Sequence, residues 1–159
     1  KNMGILGAAG GQLIDITPKI ITQNKRELVK DFKDKQKLKD LFYKKTTSFF
    51  EIAFLGGYLC GNGDQKNIPQ ILECAKFFGL AFQIYDDFDD IEQDKKRTDL
   101  NVVDPNFINN FGKKEAFDEF IMAISQFKNL ISQLKLESNV ISELITFLDS
   151  KVKKKFKNI

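Results

Sequence analysis

Three aspartates and a glutamine at helical spacing are the residues of this 159-residue chain whose types best suit chemistry. Gln83, Asp86, Asp87 and Asp90 stand at i, i+3, i+4 and i+7, so on an α-helix one amide and three carboxylates share a face. Phe82, Ile84, Tyr85, Phe88 and Ile91 take most of the remaining circumference, which predicts a buried or half-buried helix presenting an acidic patch. Like charges three and four residues apart destabilise a helix by about 0.2–0.5 kcal/mol per pair, and more in a low-dielectric cleft. With no Lys or Arg on that face, the patch asks for an outside cation, and oxygen-only ligands favour Mg²⁺ or Ca²⁺ over zinc. A solvated acidic face at a helix end is the competing reading.

Composition narrows the chemistry. The chain has no histidine, which excludes Ser-His and Cys-His nucleophilic catalysis and His-based zinc sites. Cys60 and Cys74 sit in apolar contexts without metal-ligand or redox spacing, which points to a reduced, intracellular, cytoplasmic setting; organelle targeting stays open, because the chain starts at Lys1 inside an apolar segment. A formal charge of +3 does not argue for nucleic acid, and no apolar run reaches about 18 residues without a charge, so no transmembrane segment is expected. Charge is unevenly placed: residues 19 to 45 hold ten Lys/Arg against four Asp/Glu, whereas residues 86 to 94 hold six acidic residues. A basic flank facing an acidic patch suits an anionic ligand bridged by metal, although solvated helix faces explain either run alone.

The elements that must position these residues read as helices, since 42% of the chain is hydrophobic, with sixteen Phe and little period-two alternation. Residues 3 to 16 form a small-residue helix in which Gln12 and Asp15 are i, i+3 neighbours; its glycines lack the strand context of a phosphate-binding loop, and Pro18 ends it. Residues 22 to 36 are a polar loop or an exposed helix. A helix from about Lys37 to Cys60 is amphipathic in its first half and apolar nearly all round in its second, so it is expected to dive into the core. Lys44, Lys45, Thr46, Thr47 and Ser48 stand at the transition, where a lysine either snorkels or holds a phosphate. Turn residues Gly61 to Asp64 and Pro69 introduce the helix carrying the acidic cluster, which ends near Glu92. Residues 93 to 111 read as a long loop, Gly112 opens an amphipathic helix, and residues 139 to 156 form another. The five lysines between Lys151 and Lys157 suit the negative end of a helix dipole and are given no partner.

Taken together, the residues resemble the C-terminal half of the trans-isoprenyl diphosphate synthases, the farnesyl and geranylgeranyl diphosphate synthase family. Gly11-Gln12-Leu13-Ile14-Asp15 resembles its GQxxD segment, and Lys45-Thr46 before Phe49-Phe50-Glu51 resembles its lysine-threonine motif. Phe82-Gln83-Ile84-Tyr85-Asp86-Asp87-Phe88-Asp89-Asp90 resembles its second aspartate-rich motif, FQxxDDxxD. The resemblance covers about residues 3 to 134. It implies an all-α, isoprenoid synthase-type helical bundle around a central cavity, here incomplete, with residues 1–159 as the C-terminal portion of a single polyprenyl synthetase domain. It also implies a homodimer that joins an allylic prenyl diphosphate to isopentenyl diphosphate with Mg²⁺. By motif position, Asp86 would ligate the metal, and Asp87 and Asp90 would complete or orient its water shell. Lys45 would contact diphosphate oxygens, Thr46 and Gln83 would line the cavity beside the reacting carbons, and Gln12 and Asp15 would add polar contacts. Lys95 would be the lysine that follows the second motif.

The sequence departs from the family pattern in one large respect: the first aspartate-rich motif and the basic residues that bind isopentenyl diphosphate, which lie upstream of GQxxD, are not in it. The chain alone is therefore expected to be inactive. A non-catalytic regulatory subunit, a terpene cyclase and a calcium-binding helical module are the alternatives. The intact second motif weighs against the first, the paired GQxxD and lysine-threonine motifs against the second, and the lack of an EF-hand loop against the third.

Overall fold

A computed structural model describes residues 2–4, 6–13, 32–94 and 105–158. Every regular element among them is helical, so the all-α expectation holds. After turns at residues 2–4 and 6–7, residues 8–13 are helical. They are followed by α1 (Lys35–Phe42), a π-helical segment (Tyr43–Thr47) and α2 (Ser48–Cys60). A 3₁₀ turn (Gln65–Asn67) leads into α3 (Ile68–Asp94), and α4 (Phe107–Phe111), α5 (Lys113–Gln133) and α6 (Asn139–Asn158) complete the bundle.

The 27 residues of α3 make a rod of about 40 Å, and the other elements pack around it. Ile71, Cys74, Ala75, Phe78, Ala81, Ile84 and Phe88 are buried along it at three- and four-residue steps, and Cys74, Phe78, Ala81, Ile84 and Phe88 share one core with Phe120, Ala123 and Phe127 of α5 and Leu148 and Val152 of α6. Leu38, Leu41 and Phe42 of α1 join the same core. Caps form where the sequence supplies them: Asp34 accepts from the backbone of Gln36 and Lys37 at the start of α1, and Gly112 opens α5 at a φ of 86°.

Five expectations are corrected. The helix over 37–60 is interrupted by the π-helical segment, which falls on Lys45 and Thr46. Its second half does not dive into the core: only Ser48 and Glu51 are buried in α2, while Phe49 and Ile52 stay 48% and 47% exposed, because one face of α2 packs on α3 through Phe50 and Phe54. The loop read over 93–111 is shorter at both ends, since α3 runs to Asp94 and Asn106 caps α4 by accepting from Ile108 and Asn109 N–H. The described part of the basic flank faces the acidic patch only at its end, where Lys45 acts on Asp86; Lys35 pairs instead with Glu115 and Glu119 of α5, and Lys39 with Glu119. Finally, the terminal lysines do have partners: Lys155 pairs with Asp89 and Lys153 with Asp149. Among the described residues no helix is long and apolar enough to cross a membrane.

Candidate active site

The lysine-threonine segment and the acidic turn of α3 meet because two glycines let backbones touch. Gly11 lies against the chain at Lys44–Lys45, where an added Cβ would stand 2.4 Å from the Lys45 nitrogen. Gly79, on α3, lies against Thr47, where a Cβ would stand 2.4 Å from Oγ1 and 2.8 Å from Cα. The small residues of the first segment thus serve close approach, and the π-helical turn is clasped from both sides.

Across this contact runs a chain of hydrogen bonds. Thr46 Oγ1 donates to Gln83 Oε1 at 2.7 Å, and Gln83 Nε2 donates to Asp87 Oδ1 at 3.1 Å. The other oxygen of Asp87 accepts the Phe107 backbone N–H at 2.6 Å, and Asn106 Nδ2 donates to the Asp87 carbonyl at 3.3 Å. Gln83 and Asp87 are buried, 4% and 5% exposed. Phe107 is the first residue of α4, so its N–H has no acceptor within its own helix. One side chain of the acidic cluster therefore fastens α4 to α3.

Asp86 has a different environment. It is half-buried, and its carboxyl is pushed above the usual carboxylate range, first by burial, then by the Asp90 charge, with Lys45 pulling the other way and Asp89 adding a smaller upward push. Asp90 is exposed one turn further on, and Asp89 is engaged by Lys155. Among the described residues, Asp86 and Asp90 are a pair of carboxylates whose mutual repulsion outweighs the attraction of Lys45 at Asp86. Among the described residues no group of three or more acidic, Cys or His side chains converges to hold a metal unaided. The donor set suits a hard cation that brings further oxygens from water or a phosphate ligand.

Sequence-predicted residues thus divide. Lys45, Thr46, Gln83, Asp86 and Asp87 are brought together across the contact between the π-helical segment and α3, with Asp90 at the outer edge of that turn. Gln12 follows Gly11 next to Lys45, but its side chain is exposed. Asp15 and Lys95 lie outside the described residues. Beside the site, Phe50, Phe54, Phe78, Phe82 and Phe127 form a continuous aromatic cluster, with Phe50 and Phe82 5.4 Å apart, edge to face. A cavity of about 320 Å³ lies on the Thr47 side of the π-helical turn, lined also by Tyr43, Phe77 and Leu80.

Glu51 is a supporting residue that sequence reasoning passed over. It is buried on α2, accepting from Tyr43 Oη at 2.6 Å and Asn2 Nδ2 at 2.7 Å, and so ties Asn2 to the start of the π-helical segment. Its signal was a lone carboxylate within an otherwise apolar run. Burial, and secondarily the Glu51 contact, raise the Tyr43 phenol from 10.0 to about 12. The folded state holds that proton more tightly than the unfolded chain, so this stabilisation is complete below pH 10 and is lost as pH rises towards 12. Thermal unfolding of Tyr43→Phe is expected to show a smaller drop in Tm over that window than the parent; equal drops would show that Tyr43 titrates as if unfolded.

The family model for polyprenyl synthetases matches residues 3–105, which takes in the Gly11 segment, the π-helical turn and the whole acidic turn. The chain belongs to the polyprenyl synthetase family. It is 31% identical over 100 residues to a trans-prenyltransferase of African swine fever virus, a match covering 63% of this chain and 29% of the viral protein. It is 33% identical over 57 residues to a short chain isoprenyl diphosphate synthase of Methanothermobacter thermautotrophicus, covering 36% of this chain and 18% of that protein. A chloroplastic geranylgeranyl pyrophosphate synthase of Arabidopsis thaliana is 28% identical over 91 residues, covering 57% and 23%. The chain thus spans under a third of the length of these relatives.

Proposed function

We propose that the full-length protein is a Mg²⁺-dependent trans-prenyltransferase that condenses an allylic prenyl diphosphate with isopentenyl diphosphate, in the short-chain manner of farnesyl or geranylgeranyl diphosphate synthases. Residues 1–159 supply the C-terminal portion of its single domain and are inactive alone, and the working protein is a homodimer. The observation that carries the reading is the meeting of Lys45, Thr46 and Gln83 with Asp86 on one contact between the π-helical turn and α3.

The difficulty of this reaction is electrostatic. The allylic carbon–oxygen bond must ionise to a diphosphate anion and a carbocation, which alkylates the double bond of isopentenyl diphosphate before a proton is lost. No protein nucleophile is required, which suits a chain without histidine whose Cys74 thiol is buried and pushed up to about 11, first by desolvation and then by the Glu73 charge. Bound Mg²⁺ would neutralise charge gathering on the departing diphosphate. Asp86 and Asp90 would hold it, and Lys45 would contact the diphosphate oxygens as a point charge. Thr46 and Gln83 would line the reacting carbons, next to the Phe50–Phe82 aromatic surface, whose ring faces favour positive charge. Gln12, Asp15 and Lys95 are proposed to add polar contacts to the substrates.

The experiment is product analysis of the full-length protein with an allylic diphosphate and labelled isopentenyl diphosphate. Elongated product that requires Mg²⁺ is expected. No product at any Mg²⁺ concentration, from protein shown to be folded, would overturn the reading.

A further inference from the structure

We infer that Asp87 is a positioning residue that sets the hydrogen-bond polarity of the Thr46 hydroxyl, rather than a ligand of the metal; this rests on the proposed function. The reasoning starts at the buried end. As a carboxylate, Asp87 can only accept, and both its oxygens are engaged, Oδ2 by the Phe107 N–H and Oδ1 by Gln83. An acceptor-only neighbour obliges Gln83 to turn its NH₂ towards Asp87, which leaves its carbonyl oxygen facing Thr46. Facing a carbonyl at 2.7 Å, the Thr46 hydroxyl must spend its single proton on Gln83. Thr46 Oγ1 then has lone pairs only for whatever lies on its other side. The buried charge thus decides, through two side chains, that the site presents an acceptor at Thr46 and not a donor. An acceptor steadies a developing positive charge on carbon, whereas a donor would repel it.

The relay can run backwards, and that makes the inference testable. In Asp87→Asn, the amide oxygen accepts from Phe107 and the amide NH₂ turns to Gln83. Gln83 flips, and its NH₂ donates to Thr46, whose proton is released to the other side. The two side-chain bonds of the relay survive with reversed direction and the Phe107 N–H keeps its acceptor, so α4 stays fastened while the polarity at Thr46 is inverted. In Asp87→Ala, the Phe107 N–H is left without an acceptor.

The test uses the full-length protein. Hydrogen–deuterium exchange of the peptide containing Phe107 is expected to stay within about threefold of the parent in Asp87→Asn and to accelerate by about tenfold or more in Asp87→Ala. Asp87→Asn is expected to lower kcat by about tenfold or more, with the Mg²⁺ midpoint and both KM values within about twofold, and to add nothing further in a Thr46→Val background. A Mg²⁺ midpoint raised tenfold in Asp87→Asn would make Asp87 a metal ligand, and an unchanged kcat, or full additivity with Thr46→Val, would remove the polarity effect; each overturns the inference. Absence of turnover in the parent overturns the proposed function instead. The exchange measurement then still decides the relay, which fails if Asp87→Asn exchanges as fast as Asp87→Ala.

Discussion

Asp86→Ala in the full-length protein is expected to reduce prenyl transfer by about a thousandfold or more, because it removes a charge-bearing ligand from a reaction whose barrier is charge separation. The measurement is turnover at saturating Mg²⁺ and both substrates, and activity within tenfold of the parent would sink the assignment of Asp86. A paired stability measurement distinguishes a functional residue from a structural one. Burial and the Asp90 charge raise the Asp86 carboxyl, so the folded state binds its proton more tightly than the unfolded chain. Its ionised form therefore costs stability at pH values above its unfolded pKa, and this cost fades as pH falls through the carboxylate range. Metal-free Asp86→Asn should melt at a higher temperature than the parent near pH 7, and the gain should vanish in acid. A group that weakens the fold and is indispensable to turnover has the signature of a site residue.

Gly79→Ala is expected to destabilise the protein by about 2–3 kcal/mol, lowering Tm by about 4–10 °C. The sign carries the information. Within a helix, glycine to alanine ordinarily favours folding by about 1 kcal/mol. Here the new methyl would lie 2.8 Å from the Thr47 Cα and 2.4 Å from its Oγ1, so α3 and the π-helical turn must separate. Separation would also lengthen the Thr46–Gln83 hydrogen bond, so turnover should fall with stability. Gly11→Ala meets the Lys45 backbone nitrogen at 2.4 Å and should behave alike from the other side. By contrast, Gly56 and Gly57 have open space on α2, and alanine there should be neutral or stabilising. If Gly79→Ala matched the Gly57→Ala result by calorimetry, the close approach at Thr47 would be refuted.

Much of the site was legible before any coordinates. Spacing alone put Gln83, Asp86, Asp87 and Asp90 on one helical face, and the transition from polar to apolar residues marked residues 44 to 48, among which the family resemblance pointed to Lys45 and Thr46. What misled were places where a local pattern has two tertiary outcomes. The apolar second half of the helix over 37–60 read as core, but a hydrophobic stretch states only that burial is favourable, and α2 obtains it on one face. The asparagine-rich run after Pro105 read as loop because Asn is a poor helix interior residue, yet Asn106 used its side chain as a cap. Lys155 read as a helix-dipole lysine, and its pairing with Asp89 depends on the separation of α6 from α3, which no local pattern encodes.

The sequence by itself determined the helices, the acidic face and the motifs, because residue type and a 3.6-residue period need only local information. Tertiary structure alone decided how three neighbouring aspartates differ. Asp89 meets a lysine from α6, Asp87 turns inward to Gln83 and the first N–H of α4, and Asp86 stays half-buried between Lys45 and the Asp90 charge. Carboxylates of one type on one turn acquire separate roles only when the surrounding helices assign each a dielectric, a donor set and a neighbouring charge.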